Sequence, residues 1–428
     1  MRECARGRLG AGAHVCQARL VRTVDLDRLP EALPGLPDTP RLVVAGNFAT
    51  PVTALRAWDR VVPAYRLFVL NAQRGLPDRD GVVLETCFVG PGMRGSPRLS
   101  YVPSRLSLVP RLFATTLPPD VVLLHASPPR DGTVSLGIEV NLLPAAIEAT
   151  RARGGVVVAV INRHMPYTYG DAVVPLDHVD VAVEVDEPLA TLDPLPPDVT
   201  SRAIGDRVAA RVSDGSTLQL GIGGVPDAVL HGLGARRGLR VWSEMFSDGV
   251  LGLERRGALD AGTPITASFL FGSEELYRWV DGNDRVLLLR TETTNEPARI
   301  ARQPLMTSVN TALQVDLFAQ ANASRIGARI YSGFGGQTDF IVGALHGVGG
   351  QAILALRSWH PKADASTIVP LLGEPVTSFQ PSAVVTEQGV ADIYGVDERT
   401  QAARIIDHAA HPDVRDELWE EAPGLGLA

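Results

Sequence analysis

The chain has 428 residues, of which 45% are hydrophobic and 21% are charged, so the composition predicts a globular protein with two or more domains. Its formal net charge of -8 argues against nucleic acid as a partner. The three cysteines, Cys4, Cys16 and Cys87, lack metal-ligand and disulfide spacing and fit a reducing compartment. Basic residues at 1–16 precede no apolar signal-peptide core, and no apolar run could span a membrane, so we expect a cytoplasmic protein without membrane partners.

The first half of the chain alternates apolar runs with helical patterns. Residue 51 is a proline that begins a predicted helix, and a second helix is predicted at about 142–152. The run 121–125 is apolar throughout, which is typical of a strand buried on both faces. Strands are predicted at 41–44, 65–70, 82–89, 121–125, 156–161 and 179–185. This rhythm predicts βαβ units and a mostly parallel sheet.

A proline-rich segment divides the chain. Residues 186–200 read DEPLATLDPLPPDVT, and four prolines in so short a span predict a linker. The α/β rhythm resumes after it with a predicted helix at 204–212. We therefore predict two tandem open α/β domains with mostly parallel sheets, covering residues 1–190 and 191–428, although no repeat of fixed period is visible.

Residues 218–249 contain the central motif of the second half. A short strand enters a loop of Gly221, Ile222, Gly223 and Gly224, and Pro226 opens a predicted helix. A second predicted strand, 239–242, places Glu244 just beyond its carboxyl end. Ligands bind at that end of an open α/β sheet. We therefore predict that Glu244 is a nucleophile and that the glycine loop holds its substrate.

A second glycine-rich loop follows a predicted strand at 326–330. It contains Ser332, Gly333, Gly335 and Gly336, and such a loop can turn backbone N–H groups toward an anion or a carbonyl oxygen. The alternative is a tight turn that requires positive φ.

Other polar residues at strand ends are more ambiguous. Glu387 is either a site carboxylate or an acid at a helix N-terminus, and Asn295 lies in a polar turn of the same ambiguity. His408 and His411 are three apart on a predicted C-terminal helix at 399–418. No carboxylate or cysteine completes a ligand set around them, so we expect no metal site.

Several motifs in one order resemble the acetyl-CoA hydrolase/CoA-transferase family, closest in character to the 4-hydroxybutyrate or butyrate:acetate CoA-transferases. The resemblance runs from residue 118 to the C-terminus, is still recognisable at 88–107, and is absent from 1–40. Its motifs are ASPPRDGTVSLG, NRHMPYTYGD, GIGGVPDAV, SEMFSDGV, SVNTALQVDL, YSGFGGQTDFIVGA and VTEQGVAD.

The resemblance implies a CoA-transferase-like fold with the active site between the two domains. It implies that Glu244 attacks an acyl-CoA thioester and carries CoA as a glutamyl thioester in a ping-pong exchange with a small acid such as acetate, butyrate or 4-hydroxybutyrate. Gly335 and Gly336 resemble donors to the thioester oxyanion, and Asn295 lines the same site. The implied CoA-binding residues are Gly221, Ile222, Gly223, Gly224, Val225, Ser332, Gln337 and Glu387.

The resemblance further implies that CoA is a substrate, that no cofactor is permanently bound, and that the chain forms a homodimer or a higher homo-oligomer. We also interpret Asp339 as the cap of a helix at 340–345. The chain departs from the family at residues 318–322, where a glycine-glutamine pair is usual. It departs again at Trp242, which stands where a histidine is expected. Residues two apart on a strand share a face, so Trp242 is predicted to lie beside Glu244 and to narrow the acyl pocket.

Three alternatives remain open. The spacing Gly221-x-Gly223-x-x-Pro226, with an acid about 20 residues on, is close to a dinucleotide-binding fingerprint, in which Glu244 would bind a ribose. Pro226 argues against it, because glycine or alanine is needed there for close helix packing. A non-catalytic CoA-binding protein would not require Glu244. An acyl-CoA hydrolase would use the same glutamate and differ only in admitting water.

Overall fold

The first half of the protein is built on an eight-stranded sheet. The computed structural model describes residues 21–33 and 35–428, so the basic segment 1–16 lies outside the described residues. Every neighbouring pair in this sheet is parallel. In spatial order its strands are Arg22–Thr23, Val181–Val185, Val156–Asn162, Val121–Ala126, Arg41–Val44, Tyr65–Val69, Val82–Thr86 and Leu99–Tyr101. Val121–Ala126 is buried along its whole length, as its apolar sequence predicts.

A six-stranded sheet organises the second half. Its strands in spatial order are Arg240–Val241, Thr217–Leu220, Thr307–Asn310, Gln351–Ala355, Ala383–Val385 and Val390–Asp392. All neighbours are parallel except the last pair, which is an antiparallel hairpin. The mixed α/β architecture with two mostly parallel sheets is the predicted fold class.

One of several smaller sheets joins the two halves. Tyr169–Gly170 from the first half pairs with Val286–Leu288, which also pairs with Ile265–Ala267. Met245–Phe246 pairs with Phe269–Leu270, directly after Glu244. The remaining pairs are Val173–Pro175 with Thr133–Ser135, Gln314–Asp316 with both Ala321–Asn322 and Ile368–Val369, and Trp359–His360 with Ala365–Ser366. The largest apolar cluster draws residues from both halves, so their cores are continuous.

Helices cover the sheets. They are Val52–Val61, Val109–Ala114, Leu143–Ala152, Val199–Arg211, Gly224–Gly232, Asp248–Arg255, Glu274–Val280, Thr291–Thr294, Pro297–Ile300, Gln337–His346, Glu398–Arg404 and Arg415–Glu421. Residues 186–198 have no regular secondary structure, as expected for a linker. The carboxylate of Asp198 at its end accepts a hydrogen bond of 2.8 Å from Ser201 N and so caps Val199–Arg211.

Three local predictions were wrong. Residues 326–330 form no single strand, because Gly327 and Ala328 have positive φ and turn the chain into the hairpin Arg325–Ile326 and Arg329–Ile330. The glycine-loop helix begins at Gly224 and not at Pro226. The C-terminal helix is interrupted after a π-helical turn, Ile405–Ala409.

The interruption separates the two C-terminal histidines. His408 lies in the π-helical turn, and His411 lies beyond it, with its ring against Trp359. Within residues 21–33 and 35–428 no group of three or more histidine, cysteine or carboxylate side chains is arranged to hold a metal. Across the same residues no helix is both long and apolar enough to cross a membrane.

Candidate active site

Glu244 is held at the carboxyl edge of the second sheet by backbone hydrogen bonds. The strand Arg240–Val241 ends just before it, and Trp242 N donates to Leu218 O at 3.1 Å. The carbonyl oxygen of Glu244 accepts from Ser268 N at 2.8 Å and from Phe269 N at 3.2 Å. Hydrogen bonds therefore fix the backbone at Glu244 and just before it. A catalytic side chain requires such preorganisation.

Asn295 donates a hydrogen bond to Glu244. Its Nδ2 lies 3.0 Å from Glu244 Oε2, and the asparagine is completely buried. The Thr294 hydroxyl donates to Asn295 Oδ1 at 2.8 Å, so the NH₂ group of the amide faces the carboxylate. Asn295 follows the short helix Thr291–Thr294, whose first residue donates its N–H to Asn141 O. The structure thus places Asn295, which was predicted to line the same site, in direct contact with Glu244.

Gly336 brings its backbone against the same carboxylate, and Gly335 precedes it in the loop. A Cβ on Gly336 would overlap both Glu244 Oε2 and Asn295 Nδ2, so no larger residue fits. Gly335 has φ of +56° and is packed against the ring of Phe88. Gly336 precedes the ten-residue helix Gln337–His346, whose N-terminal amides carry partial positive charge.

The environment of Glu244 shifts its proton affinity. Burial raises the pKa of Glu244 to about 7, and the negative charge of Asp339 acts in the same direction. Hydrogen bonds from Asn295 and the Gly336 amide act to lower this pKa. Both protonation states are therefore populated near neutral pH, which is typical of catalytic carboxyl groups.

Asp339 does not cap a helix, contrary to the prediction. The helix begins two residues earlier, at Gln337. The Asp339 carboxylate accepts instead from the Ser107 hydroxyl at 2.9 Å and from Ser107 N at 3.3 Å. Burial raises the pKa of Asp339 to about 6. It thus ties the second glycine loop to the first half of the chain.

Two cavities meet at Glu244. The first, of about 450 Å³, is bounded by the glycine loop and the second sheet edge and includes Gly221, Asn310 and Gln337. The second, of about 460 Å³, reaches into the first half and includes Asn47 and Asn71. Residues common to both are Phe88, Gly221, Ile222, Glu244, Met245, Ser332 and Gly335. The carboxylate therefore lies where one molecule could extend into both spaces.

Aromatic side chains give the second cavity its apolar character. The rings of Phe48 and Phe271 meet edge to face with centroids 4.3 Å apart. Phe269 and Phe271 do the same at 5.7 Å. Phe48 comes from the first half of the chain and the other two from the second, so the wall exists only when both halves are folded together.

The structure brings most of the predicted site residues together. Those that line at least one cavity are Gly221, Ile222, Glu244, Ser332, Gly335, Gly336 and Gln337. Gly223, Gly224 and Val225 follow at the start of the helix Gly224–Gly232 without lining either space. Glu387 lines neither cavity, and its carboxylate accepts from Ser358 N at 3.0 Å and from the Ser358 hydroxyl. Its predicted place in the site therefore has no support from these contacts.

Trp242 does not narrow the site, contrary to the prediction. Its Nε1 donates to Thr294 O at 2.9 Å, and its ring packs against a cluster that includes Phe340 and Met306. The regular strand ends at Val241 and Trp242 still forms a bridge to Thr266, but Glu244 lies in a bend, so the alternation of side chains does not continue from Trp242 to Glu244.

Sequence reasoning missed a buried polar group near Glu244. Glu139 is only 2% exposed and accepts from Asn47 Nδ2 at 2.7 Å. Burial raises the pKa of Glu139 to about 8, and the charge of Glu244 adds to this rise. Asn47 follows the carboxyl end of the strand Arg41–Val44, and ligands bind at such strand ends in α/β sheets, so its position in the sequence indicates a site residue. No feature of the sequence distinguishes Glu139.

Comparisons with known proteins agree with this geometry. The acetyl-CoA hydrolase/transferase N-terminal domain matches residues 82–193, and the C-terminal domain of the same family matches residues 272–422. A 4-hydroxybutyrate coenzyme A transferase of Clostridium kluyveri is 38% identical over 338 residues, which are 76% of this chain and 78% of that protein.

Two solved structures share the whole fold. The 4-hydroxybutyrate CoA-transferase of Porphyromonas gingivalis is 31% identical, with a TM-score of 0.79 over 94% of this chain and 98% of that chain. RipA of Yersinia pestis is 27% identical, with a TM-score of 0.88 over 95% of this chain and 98% of its own. The chain therefore belongs to the acetyl-CoA hydrolase/transferase family and is an enzyme of the CoA-transferase kind.

Proposed function

We propose that the protein moves CoA from an acyl-CoA to a small carboxylic acid, and that Glu244 carries CoA between them as a glutamyl thioester. The observation that supports this most directly is the position of one carboxylate at the junction of two cavities, with Asn295 Nδ2 3.0 Å away and Gly336 against it. Two of the relatives named above are 4-hydroxybutyrate CoA-transferases, and 4-hydroxybutyrate is an acid of this class.

The reaction balances without water or an external acid. A Glu244 carboxylate oxygen attacks the thioester carbonyl carbon, the C–S bond breaks, and CoA leaves as the thiolate with an acyl-glutamyl anhydride remaining. The thiolate attacks the glutamyl carbonyl carbon, and the donor acid leaves as its carboxylate. The acceptor carboxylate then repeats both steps in reverse order. Glu244 ends as the free carboxylate, and no net proton is transferred.

Backbone amides and Asn295 stabilise the charge that develops in each step. Every step places negative charge on a carbonyl oxygen, and donors fixed in advance at such an oxygen contribute about 3 kcal/mol each. Gly335 and Gly336 supply these donors in this proposal, and at Gly336 glycine alone allows the backbone so close to Glu244. The N-terminus of the helix Gln337–His346 adds a favourable field at the same place.

The two cavities suit the two parts of an acyl-CoA. The first cavity begins at Gly221 and Ile222, in the loop that resembles the family's CoA-binding segment, and it takes the pantetheine arm in this proposal. The second cavity, with its wall of Phe48, Phe269 and Phe271, takes the acyl group and later the acceptor acid. An apolar lining with a few polar groups is what ligand cavities in proteins usually have.

Hydrolysis by the same glutamate is the second candidate. The family description covers hydrolases as well as transferases. Cavities of about 450 and 460 Å³ beside Glu244 have room for water, whose share of liquid volume is only about 30 Å³. The balance between the two reactions depends on whether the acceptor acid excludes water from the thioester.

Trapping the intermediate tests the proposal. The protein is incubated with butyryl-CoA, treated with borohydride and digested, and the peptides are analysed by mass spectrometry. We expect reduction of Glu244 alone, and parallel double-reciprocal lines with acetate as the second substrate. Glu244→Ala should show no exchange, whereas Glu417→Ala, at an exposed residue that lines neither cavity, should behave as the wild type. Turnover without a modified Glu244 would overturn the mechanism, and CoA release without acceptor would identify hydrolysis.

A further inference from the structure

A series of hydrogen bonds runs from a buried acid to the wall of the second cavity. Asn47 Nδ2 donates to Glu139 Oε2 at 2.7 Å, and Asn71 Nδ2 donates to Asn47 Oδ1 at 2.8 Å. We name Glu139, Asn47 and Asn71 the amide relay. Glu139 and Asn47 are almost fully buried, whereas Asn71 is half-buried, and both asparagines line the second cavity. The relay therefore begins in the core and ends at the cavity that is proposed to hold the acyl group.

The direction of the relay is determined at its buried end. When the proton of Glu139 lies on Oε1, on the side of Asn141, Glu139 Oε2 accepts from Asn47, so the NH₂ group of Asn47 faces it. The Asn47 oxygen then faces Asn71, and it accepts the Asn71 NH₂ group. This leaves Asn71 Oδ1 as the acceptor that the relay presents to the cavity. Gln73 Nε2 donates to Asn71 O at 2.9 Å and holds the same residue from the other side.

Backbone conformation supports a functional reason for this arrangement. Asn47 and Asn71 have φ of 49° and 46°, and Asn141, which also contacts Glu139, has φ of 37°. These are three of the eight non-glycine residues with positive φ in the part of the chain that the structure describes. Such conformations cost energy and gather at functional sites. Their clustering around one buried acid is therefore unlike a set of unrelated turns.

The geometry is compatible with a neutral Glu139. Asn141 Nδ2 lies 3.3 Å from Glu139 Oε1, and Asn141 Oδ1 is a buried atom with no hydrogen-bond partner among the described residues. Rotating the Asn141 amide by 180° would place its Oδ1 against Glu139. A protonated Glu139 carboxyl would then donate a hydrogen bond to this oxygen. Burial raises the pKa of Glu139 in the same sense. A neutral acid avoids a second negative charge beside Glu244.

We propose that Glu139 is a positioning residue that orients Asn47 and Asn71, so that Asn71 Oδ1 selects acyl groups carrying a hydroxyl over unsubstituted acyl groups of the same size. The inference rests on the proposed function, because it needs the acyl group in the second cavity. An acyl chain that ends in CH₃ removes water from Asn71 Oδ1 without replacing its hydrogen bond, whereas a hydroxyl donates to it. Phe48, Phe269 and Phe271 accommodate the methylene groups of either chain.

Isosteric donor pairs test this selection. The ratio of kcat/KM is measured for 3-hydroxypropanoyl-CoA against butyryl-CoA, 4-hydroxybutyryl-CoA against pentanoyl-CoA, and 5-hydroxypentanoyl-CoA against hexanoyl-CoA, with acetate as acceptor. We expect at least one pair to favour the hydroxyl by roughly ten- to a hundredfold, since an unpaired buried polar group costs that much. A ratio near one for all three pairs would overturn the inference.

Three variants and a control test whether Asn71 and Glu139 cause the preference for the hydroxylated acyl group. Asn71→Gly keeps a residue that tolerates φ of 46°, and it should bring the ratio to about one. Glu139→Ala should lower the ratio, whereas Glu139→Gln should retain it, because its amide oxygen still accepts from Asn47. Asp131→Gly, at an exposed residue with φ of 48°, should change nothing. An unchanged ratio in Asn71→Gly, or a lost ratio in Glu139→Gln, would contradict the relay.

The readout separates this inference from the proposed function. If no acyl-CoA exchanges with any acid, the proposed function fails. If exchange proceeds through Glu244 and the ratios of the pairs are flat, only the relay fails. A variant that loses stability would lose activity toward both members of a pair alike, so the ratio still reports positioning.

Discussion

Glu244 combines two properties that oppose one another. As a nucleophile it must be ionised, yet burial raises its pKa to about 7, so a large share of the carboxyl is protonated at neutral pH. The raised pKa also makes the anion more basic and less solvated, which favours attack. Asn295 moderates the shift through its hydrogen bond to Glu244 Oε2.

The pH dependence of the reaction follows from this balance. We expect kcat/KM of the wild type to rise with pH through about 7, because only the anion attacks. Asn295→Ala removes a hydrogen bond that lowers the pKa of Glu244, so the rising limb should move to higher pH. Activity on the plateau should fall by roughly a hundred- to a thousandfold, as for loss of an oxyanion donor. A limb that stays in place in Asn295→Ala would show that another group controls the profile.

Ionisation of Glu139 should lower the free energy of unfolding, whereas ionisation of a paired surface carboxylate raises it. The pKa of Glu139 is raised from 4.5 to about 8, so the folded state holds the proton more strongly than the unfolded state. The stability this gives is complete below about 4.5 and is lost as pH rises through about 8. Glu139→Gln removes the titration. We expect the free energy of unfolding of Glu139→Gln, measured by denaturant titration, to increase relative to that of the wild type between pH 5 and 8. A difference independent of pH would contradict a buried neutral acid.

At the scale of elements, the glycine loop places a helix start beside the site. Gly223 has φ of 113° and precedes the helix Gly224–Gly232, and Gly221 and Ile222 before it line both cavities. A change in the angle of this turn would move the loop relative to Glu244. In the proposed function this movement affects CoA binding first.

A pair of glycine substitutions separates this effect from stability. Gly223→Ala and Gly215→Ala both place an alanine at positive φ with open space around the new methyl group. Gly215→Ala, at φ of 75°, should lower the free energy of unfolding by about 1 kcal/mol. Gly223→Ala, at φ of 113° and ψ of 177°, should lower it by about 1–3 kcal/mol, because essentially only glycine adopts that conformation. Only Gly223→Ala should raise KM for the acyl-CoA, by roughly ten- to a hundredfold, because a shift of about 1 Å is costly in a binding site. Equal KM values in the two variants would remove the loop from the binding site.

Strand order explains which site residues the sequence could predict. Parallel strands end at one edge, so Glu244 and the loop that begins at Gly221 were expected to meet, and they line common space. The loop that begins at Ser332 lines the same space, but it follows an antiparallel hairpin outside this sheet, so strand order does not explain its position. Trp242 was misplaced because alternation along a strand was carried past Val241, where the strand ends. Periodicity within a segment has no information about where that segment stops.

The amide relay could not be predicted, for a different reason. Glu139 and Asn47 both belong to the first half of the chain, but they are 92 positions apart in sequence and come together only in its tertiary structure. Their positive-φ neighbours are asparagines, which occur in ordinary turns as well. Only the tertiary structure shows that one buried acid unites them.

At the scale of the whole molecule, the two halves share their interior. The largest apolar cluster includes Ile138 and Leu270, and Leu270 N donates to Ile138 O at 2.9 Å across the join. The strand Tyr169–Gly170 pairs with Val286–Leu288 of the second half. The site depends on this union, since Phe48 and Asn47 face Glu244 from the other half. The halves are therefore expected to unfold together.

A core substitution in one half, observed from the other, tests this cooperativity. Of the five tryptophans only Trp58 lies before the linker, so Trp58→Phe leaves fluorescence that reports the second half. Leu84→Ala removes a fully buried side chain from an apolar cluster whose buried members all belong to the first half, and it should cost about 2–5 kcal/mol. In the Trp58→Phe background we expect fluorescence and circular dichroism to shift to the same lower denaturant midpoint. A fluorescence transition that stays in place would mean that the second half unfolds independently, and the site would then be assembled by docking of two separate domains.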